Sequence, residues 1–447
     1  MKMLRFAAVG VAAALALTAC SSGGDKGTQS TSTGGATSAA PEAATIKLWL
    51  NGTDTPQALR DYLVSEFAKE NPGSTLVIEQ QDWNGLVPRL QTALTSADQT
   101  PDVVEIGNTQ SATFTYAGAF KDISDLYQPL GGDKLLPGFV AAGKADGKLY
   151  AVPYYSGARA VFYNKDMFKN AGVDVPTTLD EFTAAAKKLT SSKVSGFWFP
   201  GQDWYNGAAW IYTNGGDLAT QDGDTWKGAL SSDASIKGLT TVQDLFKNAN
   251  HAPADSDSNN PWVAFNAGQA AMFSAPTWAR WSINLTECDK KVDPKDTSDA
   301  AKAKLADQQK CNEAHTGVFP LPGLTAGTYA TAFAGGSNLG ISAKSKHPEL
   351  AKNLLKIIFS ADFQNQLGKN GLIPGNTDYA ASMGDDVYAK AAVAAALNAK
   401  LTPAAENWAT VEGDRVLEDF FQKIATGADI KSSAQNTDKQ IEDILNG

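Results

Sequence analysis

Histidine appears three times in this chain and cysteine three times. The histidines (His251, His315 and His347) are scattered, and no HExxH zinc motif, GxSxG nucleophile elbow, GxGxxG turn or P-loop accompanies them. Positive charge is also short: 38 Lys and Arg stand against 48 Asp and Glu, a formal net charge of −10. A protein that grips duplex nucleic acid carries a basic stripe, and none is visible, so nucleic acid is excluded as a partner. Beyond the first twenty residues no apolar run approaches the roughly 18 residues a membrane-spanning helix needs. "DSDSNN" at 255–260 starts like a calcium loop but lacks the glycine at its sixth position and has Asn266 where a glutamate would close it. No metal and no cofactor are expected.

What is present begins with an address. "MKMLR" is a short basic segment, "FAAVGVAAALAL" an apolar stretch too short to cross a bilayer, and "LTAC" ends at Cys20. That string resembles a bacterial lipobox, which makes residues 1–20 a lipoprotein signal peptide and Cys20 the acylated new N-terminus. The acyl chains, at about 0.8 kcal/mol per buried methylene, would anchor the chain at the outer face of the bacterial cytoplasmic membrane. Removing the segment leaves 36 basic and 48 acidic residues, a charge of −12. Residues 21–44 hold no large apolar side chain, so they form a flexible tether reaching about 27 Å.

Two further cysteines, Cys288 and Cys311, bracket a segment rich in Lys, Asp and Gln. Outside the cytoplasm such a pair oxidises, stapling an exposed excursion at its base and contributing about 3 kcal/mol. With only His315 nearby, the two thiols offer too few ligands for zinc.

The folded part opens with "TIKLWL", a strand, then a helix through "PQALRDYLVSEFAKEN" with Leu59, Tyr62, Leu63 and Phe67 on one face. "STLVIEQ" is a strand, "NGLVPRLQTALTSAD" a helix and "PDVVEIG" a strand. This β-α-β-α-β rhythm predicts a doubly wound α/β sheet whose ligands bind beyond the carboxyl ends of the strands, at "NGTD", "QDWNG" and "GNTQ". Residues 146–168 read as two strands with a proline-containing crossing between them. "VPTTLDEF" opens a helix with a capping box of Thr178 and Glu181. A second α/β unit runs to about residue 325, and the last 75 residues or so are mostly helical, with Leu417, Phe420, Phe421 and Ile424 on a buried face.

In one order the chain carries the lipobox, the Ser/Thr/Gly tether, "IKLWLNG", "FAKENPG", "PDVVEIGN", "GKLYAVPYYSGARAVFYNKDMF", "AFNAGQAAMFSAPTW", "GGSNLGIS" and "HPELAKNLLKIIFS". Together they resemble the extracellular solute-binding proteins of ABC sugar importers, in the maltose-binding-protein-like group (family one). The resemblance implies a two-lobed periplasmic-binding-protein-like fold of type II with the ligand cleft between lobes. One lobe would comprise 45–153 plus 331–375, the other 158–325 plus 376–447, joined by short crossings. It also implies closure by hinge rotation, a sugar ligand, permease subunits as partners and a monomeric carrier. The 288–311 excursion departs from the family pattern.

A sugar offers hydroxyls at its rim and C–H patches on its faces. Its site therefore needs aromatic platforms, worth about 0.5–1.5 kcal/mol beyond area, and planar polar groups. In "GQDWYNGAAW", Trp204 and Tyr205 can floor such a cleft while Asp203 and Asn206 reach hydroxyls; the alternative is that the rings cap a domain core, the reading preferred for Trp210. Trp83, beside Asp82 at a strand end, serves either role. The resemblance places stacking tryptophans at Trp278 and Trp408. Trp281 reads as core, and Trp408 points away from Leu417 if one helix runs through Gly413. Asp54, Asn108 and Arg159 are the polar candidates; Arg159, mid-strand, pairs either with a buried acid or with the ligand. Gly335 and Gly336 either admit ligand close to the backbone or make a turn. The rival class is a secreted, lipid-anchored glycoside hydrolase, which also lines its cleft with tryptophan and uses two carboxylates.

Overall fold

The structure, a computed structural model, describes residues 42–257, 259–293 and 296–447. The expected signal peptide, Cys20 and the tether as far as residue 41 lie outside the described residues. Thr45–Asn51 forms strand β1, which buries Ile46, Leu48 and Leu50. Helix α1 (Gln57–Glu70), strand β2 (Thr75–Gln81), helix α2 (Leu86–Thr95), strand β3 (Val103–Gly107) and helix α3 (Asn108–Tyr116) follow. β1 pairs in parallel with both β2 and β3. In α1, Leu59, Leu63 and Phe67 recur every fourth residue and join Leu48 and Leu50 in one core. The carboxyl ends of the three parallel strands thus meet at one edge, as their sequence rhythm predicts.

Ala151–Asn164 is a single strand, β4, 14 residues long. The expectation of two strands with a break at Pro153 is corrected. Pro153 is accommodated because β4 itself bulges beside it: Ser337 faces Tyr155 while the next residue, Asn338, faces Pro153, leaving Tyr154 as the extra residue. A bulge is where a strand tolerates an amide that cannot donate. Helix α4 (Leu179–Leu189) starts with the Thr178 hydroxyl accepting from the Glu181 amide, 3.2 Å. The Glu181 carboxylate reaches one residue further back than a capping box requires, to the Thr177 amide and hydroxyl, both 2.7 Å.

Helix α5 (Trp204–Thr213), strand β5 (Met272–Pro276), helix α6 (Asp299–His315), strand β6 (Thr316–Phe319), strand β7 (Ala334–Ile341) and the short strand β8 (Ile373–Pro374) come next. Helices α7 (Trp408–Gly413) and α8 (Val416–Ala425) lie near the end of the chain. β7 runs antiparallel between β3 and the first half of β4; β5 and β6 flank the second half. The residues accordingly form two principal cores. Leu48, Phe67, Val152, Leu339, Leu354 and Phe363 belong to one; Val161, Phe182, Trp210, Leu245, Trp408 and Phe420 belong to the other. The segment Thr377–Met383 sits on the first, where Ser382 packs over Gly368. Among the described residues no helix is long and apolar enough to cross a membrane.

Cys288 and Cys311 are joined, their Cα atoms 5.6 Å apart, as the pair predicts. Asn312, next in α6, accepts from the Leu285 amide (3.0 Å) and donates to the Ile283 carbonyl (2.8 Å), so the base of the excursion is fixed by side chain as well as by sulfur. Replacing both cysteines by serine should lower the unfolding free energy by about 3 kcal/mol, the loop-closure contribution. Urea denaturation of the oxidised protein and the double variant measures it, and equal midpoints would show that the hydrogen bonds suffice.

Candidate functional site

Where the parallel strands end, a cavity of about 200 Å³ opens between the two cores. Asp54 reaches it from the turn after β1, Trp83 from the turn after β2, and Gly107, Asn108, Thr109 and Gln110 from the junction of β3 and α3. Alternate residues of β4, Tyr155, Gly157 and Arg159, point into it, and β7 contributes Gly335, Gly336 and Ser337. Tyr205, Pro276, Trp278 and Phe333 close it from the side of the second core.

The first wall is organised around Asp54. Its Oδ2 accepts from the Trp83 indole (3.0 Å) and from the Tyr155 hydroxyl (3.1 Å). Burial pushes the Asp54 carboxyl above its ordinary value, against the pull of Trp83, Tyr155 and Arg60. The Trp83 ring lies flush on Gly52, at φ +53°, where a Cβ would come within 3.0 Å of the indole nitrogen. Asn108 donates from Nδ2 to the Ala334 carbonyl, tying the start of α3 to β7. Gly336, at φ +131°, is required for a different reason: a Cβ would collide with the Tyr155 carbonyl. Gly336 lines the cavity, and it sits within β7 rather than in the turn the sequence also allowed, where it lets the strands close up.

On the second wall, the Arg159 guanidinium sits 5.5 Å from the Tyr205 ring centroid, and its Nη1 is 3.5 Å from the Ser274 carbonyl. Among the described residues no carboxylate forms an ion pair with it. Trp278 is partly buried, edge-on to Trp262 at 5.9 Å, and packs between the first core and a smaller cluster around Phe162, Phe265 and Phe273. Tyr205 packs on Phe333 at 5.0 Å between centroids.

Four expected ligand contacts are corrected. Trp204 is 1% exposed and does not line the cavity; it lies behind Tyr205, centroids 4.1 Å apart, as the floor of the core. Asp203 and Asn206 do not face outward either: the Asp203 side chain caps α5 by accepting from the Asn206 amide (3.1 Å) and side chain (2.5 Å). Trp408 is fully buried. The helical phase that placed it in the cleft assumes one continuous helix, but α7 ends at Gly413 and Arg415 adopts φ +57° before α8 begins. Trp281, read as core, is instead 57% exposed beneath the Arg280 guanidinium. Trp210 is core, among Phe182, Phe197 and Phe199.

Asp54, Trp83, Asn108, Arg159, Tyr205, Trp278 and Gly336 are therefore brought together, and Trp204 and Trp408 are not. Tyr155, Phe333 and Ser337 escaped the sequence reading, whereas Thr109 and Gln110 belong to the segment "GNTQ" that it placed at a strand end. Tyr155 carried a signal: it lies four residues before Arg159 on one strand, hence on the same face. Behind this wall Glu105 is wholly buried and accepts from the Asn51 amide at 2.7 Å. Burial, with the nearby Asp54 charge adding to it, pushes Glu105 up to about 7, against the hydrogen bonds of Ser337, Asn51 and Tyr155.

The profile of the family described as bacterial extracellular solute-binding protein matches residues 51–365. The diacetylchitobiose binding protein DasA of Streptomyces coelicolor is 30% identical over 453 aligned positions, covering 100% of this chain and 98% of that protein. The multiple sugar-binding protein of Streptococcus mutans is 26% identical over 315 positions, 67% of each. Among solved structures, the GacH receptor of Streptomyces glaucescens superposes with a TM-score of 0.75 at 23% identity, covering 91% of this chain and 99% of that one. The sugar-binding protein MalE of Xanthomonas citri superposes with a TM-score of 0.73 at 20% identity, covering 90% and 97%. The fold is thus the two-lobed α/β fold of these receptors.

Because Trp204 is core, Trp204→Ala should cost about 3–5 kcal/mol of stability; a chemical denaturation midpoint equal to wild type would return it to the surface. Glu105 titrates at about 7 in the folded chain and near 4.5 when unfolded. The folded state holds a proton that the unfolded chain releases, so this contribution is complete below about pH 4.5 and is lost as the pH rises through about 7. The melting temperature of wild type should fall over that window, and Glu105→Gln should flatten the decline; an equally steep variant would contradict the assignment.

Proposed function

We propose, from the premise that the chain belongs to the bacterial extracellular solute-binding protein family, that it captures a di- or oligosaccharide outside the membrane and hands it unchanged to the permease of an ABC importer. The observation that carries this reading is a single cavity walled by Trp83 and Tyr155 from one half and by Tyr205, Trp278 and Phe333 from the other. Rings on both sides can hold the C–H faces of a sugar, and Asp54, Asn108, Gln110 and Arg159 can meet its hydroxyls. An N-acetylated disaccharide is the first ligand to try, because DasA, alike over its whole length, is named for diacetylchitobiose.

Seven of the residues singled out in the sequence are the proposed ligand contacts: Asp54, Trp83, Asn108, Arg159, Tyr205, Trp278 and Gly336. The sequence-derived lobes, 45–153 plus 331–375 and 158–325 plus 376–447, with the segment Thr377–Met383 packed on the first rather than the second, close by rotation about the crossings near 153–158 and 325–331. Acylation of Cys20 would hold the monomeric carrier near its permease. A hydrolase is disfavoured on the same geometry. Glycosidases place two carboxyl groups about 5–9.5 Å apart across the bond they cut, whereas Asp54 is the sole carboxylate among the described residues lining this cavity.

Calorimetry against a panel that includes diacetylchitobiose, cellobiose and maltose should give saturable binding to one of them, with a tryptophan fluorescence change and no products. Trp83→Ala should weaken that binding roughly ten- to a hundredfold, about 1.4–2.8 kcal/mol, with an unchanged circular dichroism spectrum. Appearance of cleaved sugar would overturn the carrier reading; full affinity in the variant would remove Trp83 from the site.

A further inference from the structure

Glu412 lies in α7, on the second core, yet its carboxylate is bonded to the opposite half of the molecule. Its Oε2 accepts from the Thr109 hydroxyl at 2.9 Å and from the Gln110 side-chain amide at 2.7 Å, both in the first turn of α3. Its Oε1 accepts from the indole of Trp408 at 3.2 Å, which gives that buried tryptophan a role away from the ligand. One turn along, the Ala409 amide donates to the Thr113 hydroxyl at 3.1 Å, again from α7 to α3. Thr109 and Gln110 also line the cavity, so the contact is made by the back of the wall that the ligand would meet.

The chemistry of this contact differs from that of a structural ion pair. Among the described residues no cation pairs with Glu412, and all three donors are neutral. A carboxylate bonded this way holds its partners through charge-assisted hydrogen bonds. Because a carboxylate only accepts, it also dictates which end of the Gln110 amide faces it: the nitrogen is committed to Glu412, and the amide oxygen is left without a protein partner. Burial drives the Glu412 carboxyl up to about 7, consistent with an acid enclosed only while the two halves meet.

We infer that Glu412 is a positioning residue that fastens α3 to α7 across the cleft, holding the two halves together and Thr109 and Gln110 in their cavity-facing orientation even without ligand. The inference extends the carrier reading, but its test needs no sugar. Small-angle X-ray scattering of the ligand-free full chain should show a larger radius of gyration for Glu412→Ala than for wild type, with Glu412→Gln in between. Thr113→Val, which severs the neighbouring bond and leaves the cavity lining intact, should shift the same way. Should Glu412→Ala fail to fold by circular dichroism, Glu412→Gln and Thr113→Val decide.

A purely structural Glu412 would lower the melting temperature of these variants while the folded molecules kept the wild-type radius, and that result would overturn the inference. Where a panel sugar binds, its release from Glu412→Gln should be several-fold faster than from wild type; an equal rate would likewise count against it. A wild type that binds none of the sugars, with the scattering difference intact, would sink the carrier reading and leave the fastening in place.

Discussion

The arrangement depends on one strand being shared by two cores. β4 runs unbroken for 14 residues, pairing with β7 over its first part and with β5 and β6 over its second. A strand alternates its side chains strictly, so where it leaves one set of neighbours for the other, every second residue must face the gap between them. Those residues are Tyr155, Gly157 and Arg159: a ring, an opening and a charge. Gly157 leaves the crossing uncrowded, since a Cβ there would find nothing nearer than Pro276 at 3.7 Å. The cavity is a consequence of connectivity before it is a consequence of any side chain.

Charge near this gap is handled sparingly. Asp54, Glu105 and Glu412 all lie in or behind its walls, and the hydrogen bonds they accept come from neutral donors: indoles, hydroxyls and amides, with one oxygen of Glu105 left without a close partner. Desolvation raises all three carboxyls, which means the fold holds them at a cost. Arg159 is treated in the same manner, resting over Tyr205 with a carbonyl beside it, near the buried Asp203 but with no ion pair among the described residues. Strong pairs inside the walls would leave nothing for a neutral, hydroxyl-rich solute to engage. Weakly compensated groups keep hydrogen-bonding capacity in reserve and let the solute leave again.

The aromatic residues divide by what stands behind them. Trp83 rests on the bare backbone of Gly52, and Trp278 touches the first core and the smaller cluster around Phe273 without being enclosed by either. Trp204 has Tyr205 and Phe333 against it, and Trp408 is sealed by α7 and its neighbours. Two of the four indoles offered as ligand contacts are thus removed from the ligand: Trp204 lies under Tyr205, which lines the cavity, and Trp408 donates to Glu412, which in turn holds the cavity-lining Thr109 and Gln110.

Local periodicity and spacing were sufficient to read the strand and helix order of residues 45–107, the edge where Asp54, Trp83 and Asn108 gather, and the oxidised pair at 288 and 311, because each depends on neighbours close along the chain. The oddity of a charge at Arg159 inside an apolar strand was legible for the same reason. The inward turn of Trp204 and Trp408 was not. The direction of an indole on a helix is set by how that helix is rotated against segments hundreds of residues away, and by whether it continues: the left-handed Arg415 after Gly413 reset the phase on which the reading of Trp408 depended. Composition and spacing determined that the chain builds parallel strands ending at a polar edge; only the packing of non-adjacent segments decided which rings look across that edge and which hold it from behind.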